Sequence, residues 1–100
     1  MSLKLMPPNF EFLFDEPFDG LAPMEAEAKG YLPGVKLQLA DGRVHSVCFY
    51  DPVRLAQDLE RVGFIAEVGL IVISDVTLEK MNEAVETLVR AGYFDSFRPF

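Results

Sequence analysis

Val68-Gly69-Leu70-Ile71-Val72-Ile73 is the densest apolar run in the chain, and its reading decides the fold. Six residues are too few for a helix of ordinary length. Val and Ile are stiff at χ1 and favoured on a pleated surface, so the run predicts a strand over about residues 67–73. Apolar residues occupy both parities, which is the pattern of a strand covered on both faces. Burying Leu70, Ile71, Val72 and Ile73 would contribute about 1.5–3 kcal/mol each before conformational entropy opposes it.

On the C-terminal side, Thr77 is the best helix N-cap, with Val76 and Met81 at the two positions of a hydrophobic staple, and a helix is expected over about 77–91. Leu78, Met81, Val85, Leu88 and Val89 fall on its buried side. On the N-terminal side, Asp51-Pro52 opens a helix over about 52–62, because Asp caps well and Pro loses nothing at the first helical position. Its stripe is Leu55, Leu59 and Val62, which leaves Arg54, Gln57, Asp58, Glu60 and Arg61 facing water. Gly63 suits a left-handed helix end with Phe64 touching Leu59, and Gly92-Tyr93 repeats that ending against Leu88.

Further upstream, two β-rich runs over about 35–40 and 43–50 flank Asp41-Gly42, a dipeptide that tolerates the positive φ of a tight hairpin. A two-residue turn pairs Leu39 with Val44. A three-residue loop with Gly42 in a bulge pairs Leu39 with Arg43, and segregates the apolar side chains somewhat better. In either register Val47-Cys48-Phe49-Tyr50 is apolar or aromatic on both faces, which suits an interior strand.

Residues 1–34 differ in character from the rest. They hold five of the seven prolines and six acids against Lys4 and Lys29, which makes the segment net −4 of the chain's −7. They read as an acidic, Pro- and Phe-rich N-terminal arm packed on a single α/β domain over 35–100. A strand at 10–14 and a short helix at 23–29, with Pro near its start and Gly30 just past its end, are the regular elements the arm could hold. The fold class is therefore α/β (α+β), a small sheet with a ββαβα core. With both N-terminal elements the order becomes βαββαβα, that of a ferredoxin-like plait with one added helix.

Composition excludes several functions. A chain of 100 residues, half of them hydrophobic, can build one core. Net charge −7 and pI near 4.5 argue against a nucleic-acid partner and against adsorption to an anionic membrane, since both rest on Lys and Arg. A single cysteine, Cys48, forms no internal disulfide. Together with the lack of a secretory leader or a span-length apolar run, it points to a cytoplasmic protein.

Candidate chemistry is sparse. His45 and Cys48 are the only residues of their kinds, but positions three apart on a regular strand face opposite sides, so a catalytic pair would need a bulge between them. Two His or Cys ligands do not make a zinc site, and no phosphate loop, dinucleotide fingerprint or calcium-loop spacing is present. No cofactor is expected. Glu67 and Asp75 bracket the apolar strand, but the extended chain between them spans ~26 Å, so they cannot share a substrate bond. Glu67 reads as a solvated strand-end charge.

Phenylalanine carries the clearest hint of a surface. Seven of nine lie at the ends: Phe10, Phe12, Phe14, Phe18, Phe94, Phe97 and Phe100. That much aromatic area must be covered, by the chain's own sheet or by a partner. With both helices expected on one face of the sheet, these residues are the candidates to cover the other face or to bind a partner. The reading is a non-enzymatic protein–protein interaction module, an inhibitor- or immunity-type protein or a homodimer subunit. Its alternate is a small enzyme or ligand-binding domain with a pocket under the aromatic ends, using Tyr50, His45 or Glu67.

Overall fold

The structure, a computed structural model, describes residues 10–96. The elements run β1 (Phe10–Leu13), α1 (Ala22–Lys29), β2 (Tyr31–Leu39), β3 (Val44–Tyr50), α2 (Pro52–Val62), β4 (Leu70–Val72) and α3 (Leu78–Arg90), followed by a 3-10 turn at Tyr93–Ser96. One four-stranded mixed sheet has the order β1-β2-β3-β4. The β1/β2 and β2/β3 pairs are antiparallel, and β3/β4 is parallel. Element order matches βαββαβα, but the topology is not the plait's. In a split βαβ unit the strands joined by a helix are parallel and separated by another strand; here β1 and β2, joined by α1, are antiparallel neighbours.

Local chemistry explains most boundaries. Asp51 is extended and its carboxylate accepts from the Arg54 amide at 2.7 Å, with Pro52 next, so α2 starts where capping dictates. Thr77 caps α3 in the same way through the Lys80 amide, and Val76 and Met81 are both fully buried as a staple requires. In the β2–β3 hairpin the Leu39 amide donates to the Arg43 carbonyl at 2.8 Å and the Gly42 amide to the Leu39 carbonyl at 2.9 Å. Val35 therefore pairs with Val47 and Leu37 with His45, the register that segregates apolar side chains. β2 begins earlier than its composition suggests. Pro33 and Gly34 lie inside it, at an irregularity between Leu32 and Val35 where the missing Pro N–H leaves no gap in the ladder.

The apolar core lies on one face of the sheet. Phe10, Val35, Leu37, Leu39, Val47, Phe49, Ile71 and Ile73 meet Met81 and Val85 of α3, Ala26 of α1, and Phe94. α2 lies against the other face, where its Asp58 meets Tyr50. The expectation of both following helices on one face fails for a topological reason. The crossover rule constrains α2, which links two parallel strands. α3 follows the last strand and can return to whichever face carries the larger apolar side chains.

The greater correction concerns the opening run. β4 is three residues long and ends the sheet, so it is an edge strand and not a doubly covered one. Ile71 and Ile73 enter the core, while Val68 and Val72 are exposed and Leu70 is half-buried. The strand starts at a close approach. Gly69 has φ +72°, and a Cβ there would overlap the Ser46 carbonyl oxygen and come within 2.8 Å of the Val47 Cα. Gly69→Ala should therefore destabilise the fold by about 3 kcal/mol or more in urea titrations. Gly20→Ala, at φ +59° but in open space, should cost about 1 kcal/mol. Equal costs at the two positions would contradict the packing of β4 on β3.

Candidate functional site

The polar groups of the domain concentrate where β2, β3 and α2 meet. Tyr31 and Tyr50 are register partners at one end of the β2–β3 pair, and their rings lie 4.5 Å apart between centroids. The Tyr50 hydroxyl is 3.1 Å from Asp58 Oδ2 and 3.1 Å from Glu67 Oε2. With one hydrogen it donates to one carboxylate at a time. The Tyr31 hydroxyl donates to Glu67 at 3.2 Å. Arg54 closes the group: its Nε donates to Asp58 at 3.1 Å, its Nη1 reaches the Lys29 carbonyl at 3.2 Å, and its guanidinium lies 5.2 Å from the Tyr31 ring centroid.

Electrostatics follow from this packing. Burial, then the hydrogen bonds to Asp58 and Glu67, raise the Tyr50 hydroxyl well above the ordinary tyrosine range. Tyr31 is raised by burial and by Glu67. At Asp58, only 8% exposed, burial works upward, but hydrogen bonds from Arg54 and Tyr50 and the charges of Arg54 and Arg61 outweigh it and hold the carboxyl below its usual value. Buried Cys48 lies on the same face, and burial, reinforced by the Glu67 carboxylate, pushes its thiol up to about 12. The cluster thus holds its tyrosines and thiol protonated and its aspartate ionised. That is the arrangement of a structural anchor for α2, and it lacks a thiolate nucleophile.

The structure separates the sequence-derived candidates cleanly. His45 and Cys48 fall on opposite faces: His45 packs 5.2 Å from the Phe94 ring, among the core side chains, while Cys48 neighbours Glu67. His45 is buried, and its Nε2 has no hydrogen-bond partner among the described residues. Burial and then Arg43 lower its pKa. Glu67 joins the tyrosine cluster, so two of Tyr50, His45 and Glu67 meet and the third does not. Asp75 accepts from the Ser74 hydroxyl at 3.3 Å, just before the α3 cap, and its carbonyl accepts from the Thr77 amide. Of the aromatic ends, Phe10 and Phe94 are in the core cluster and Phe12, Phe14 and Phe18 pack against it, with Phe14 and Phe18 stacked at 4.7 Å. Phe97 and Phe100 lie outside the described residues.

Sequence reasoning did not place Tyr31 or Asp58 in this cluster. Asp58 sits on the polar side of the α2 stripe and was expected in water; nothing local says that this side meets the sheet. Tyr31 had a signal, since it follows Gly30 directly, but Pro33-Gly34 obscured the strand it begins.

A cleft of about 770 Å³ opens between the β1–α1 segment and the start of β2, lined by Phe14, Phe18, Glu25, Lys29, Tyr31 and Arg54 among others. Among the described residues no group of three or more His, Cys, Asp or Glu is placed to hold a metal ion, and no helix is long and apolar enough to cross a membrane. No family model matches the chain, and no curated protein or solved structure matches it.

The raised thiol carries a pH dependence. An unfolded chain releases the Cys48 proton near pH 9.0 and the folded chain near 12, so the folded state binds more protons in between. Stability from Cys48 is fully present below pH 9 and is lost as pH rises toward 12. Between about pH 8 and 10.5 the Cys48 share of the loss should reach about 2 kcal/mol in urea titrations, and Cys48→Ala should reduce the slope by that share, leaving what the two raised tyrosines contribute. Identical slopes in the two proteins would contradict the burial of Cys48.

Proposed function

We infer that the protein is a non-enzymatic interaction module that works through protein contacts, as a subunit of a homodimer or as an inhibitor- or immunity-type protein engaging a larger partner. One observation carries the reading. From the end of α2 into β4 the chain exposes a succession of large apolar side chains: Leu59 (42%), Val62 (49%), Phe64 (68%), Val68 (83%) and Val72 (46%). α2 is amphipathic, yet Asp58 is its only buried residue; the helix is tethered by its polar side and turns much of its apolar stripe outward. Phe64, just past the left-handed Gly63, is largely open to solvent. Apolar surface on this scale is characteristic of an interface.

Charge supports the same reading. Asp15, Glu16, Asp19, Glu25 and Glu27 are all exposed in and just before α1. Such a field speeds encounter with a basic partner and leaves the apolar surface to hold it. The Phe-rich ends, by contrast, serve the core wherever they are described.

A second reading, a ligand-binding domain, is favoured by the 770 Å³ cleft, whose size suits a small molecule and whose wall includes Tyr31 and Arg54. The two readings use different surfaces.

A photo-crosslinking residue placed at Val68 in the full chain, at native level in its own cells, should give discrete protein adducts, while the same residue at exposed Gln57 should not. Absence of adducts at Val68, or equal adducts at both, would remove the interaction reading.

A further inference from the structure

Among the described residues, the outer edge of β4 is an unfinished ladder. The Cys48 amide donates to the Gly69 carbonyl at 3.0 Å and the Ile73 amide to the Tyr50 carbonyl at 2.9 Å. In a parallel pair, alternate residues of a strand bond the same neighbour, so 69, 71 and 73 serve β3 while the N–H and C=O groups of Leu70 and Val72 point outward. β4 is the last strand of the sheet, and no ionisable side chain or proline occurs from Val68 to Ser74. Natural edges are guarded by lysine, proline or a bulge; this one has none of them. Beside it a shallow groove of about 480 Å³ runs between β4 and α3, floored by Ile71, Ile73 and Leu88 and rimmed by Lys80, Glu83 and Thr87.

We propose that β4 pairs with β4 of a second copy of this chain across a twofold axis, joining two sheets into one eight-stranded sheet. The proposal rests on the protein-contact reading above and names its partner. A twofold axis at Ile71 makes the pairing antiparallel and sets Leu70 opposite Val72 of the second copy, and Val72 opposite its Leu70. Each pair exchanges both backbone bonds, which uses the outward groups and no others. Leu70 and Val72, on the α2 face, then cover each other across the junction at cross-strand contact distance.

Charge selects a second copy over a foreign strand. Two chains of net −7 repel unless they meet where they carry little charge, and Val68 to Ser74 carries none. On the α3 face the groove rim carries Lys80 and Glu83, which pair with each other at 3.6 Å and so add no net charge beside the edge. A basic partner would instead be drawn to the acidic α1 side.

Sedimentation velocity on the full chain, up to about 100 μM, should give twice the 11.2 kDa chain mass if the dimer's Kd is near 10 μM or tighter. Val72→Pro removes an outward donor while sparing the bonds to β3, and Val72→Lys puts a charge at the junction; both should sediment as monomers with unchanged circular dichroism. Phe64→Ser, off the strand, should remain dimeric. In the native chain the amides of Leu70 and Val72 should exchange about tenfold more slowly at high than at low concentration, with Ile73 unaffected. A monomer at about 100 μM overturns the proposal and leaves the crosslinking test of the interaction reading standing. So does a dimer that survives both Val72 variants. If those variants unfold, the exchange decides: protection independent of concentration means that a segment of the chain's own covers the edge, and that overturns the proposal as well.

Discussion

Successive residues of a strand face opposite sides of its sheet, and along Val47-Cys48-Phe49-Tyr50 that alternation divides the molecule in two. Val47 and Phe49 point to one face, where they are fully buried in a cluster with Leu37, Met81 and Val85. Cys48 and Tyr50 point to the other, where the partners are Glu67, Asp58 and Arg54. The first face gathers α3, α1 and the described phenylalanines of the two ends, Phe10, Phe12, Phe14, Phe18 and Phe94, because those side chains have large apolar area to bury. The second holds α2 chiefly through hydrogen bonds and an ion pair, since what Cys48 and Tyr50 offer there is a thiol and a phenol. β3 has β2 on one side and β4 on the other, so this division propagates through the sheet.

A helix held by its polar side has a consequence for its apolar side. Buried, fully partnered polar networks fix geometry well and add little net stability compared with apolar packing of the same size. α2 is accordingly well positioned, by its Asp51 cap and by Arg54 and Asp58, while Leu59 and Val62 lie open. The loop that follows continues the exposure through Phe64 and Val68 to β4. The protein-contact function proposed above would account for an amphipathic helix turned this way, and net charge −7 keeps such a chain dispersed.

Much of this was legible in the sequence wherever local chemistry decides. Asp51-Pro52, Thr77 with its Val76–Met81 staple, and Asp41-Gly42 each bring their own backbone requirement, and the helices and the hairpin stand where these residues put them. The strand at Phe10–Leu13 and the helix ending at Gly30 were elements the N-terminal arm could hold, the helix through its Pro near the start and Gly30 at the end, while the strand had only its Phe-rich run. The opposite faces of His45 and Cys48 followed from parity alone. What was not legible was set by partners far along the chain. Nothing within Val68–Ile73 distinguishes an edge strand from a central one, because both are apolar at each parity. Asp58 reads as a water-facing residue until the tyrosine opposite it is known. The Tyr31–Tyr50–Glu67 group joins three segments that only the sheet register brings together, so Tyr50 and Glu67 could be suspected singly while their contact could not.

The orientation of α2 is the point on which the functional account rests, and methyl NMR with a soluble paramagnetic probe tests it most directly. In dilute solution the methyl groups of Leu59, Val62 and Val68 should show strong solvent relaxation enhancement, and those of Met81, Val85 and Leu37 almost none. Enhancements at Leu59 and Val62 as small as those at Met81 and Val85 would mean that the stripe faces the sheet after all, and the contact surface described here would not exist.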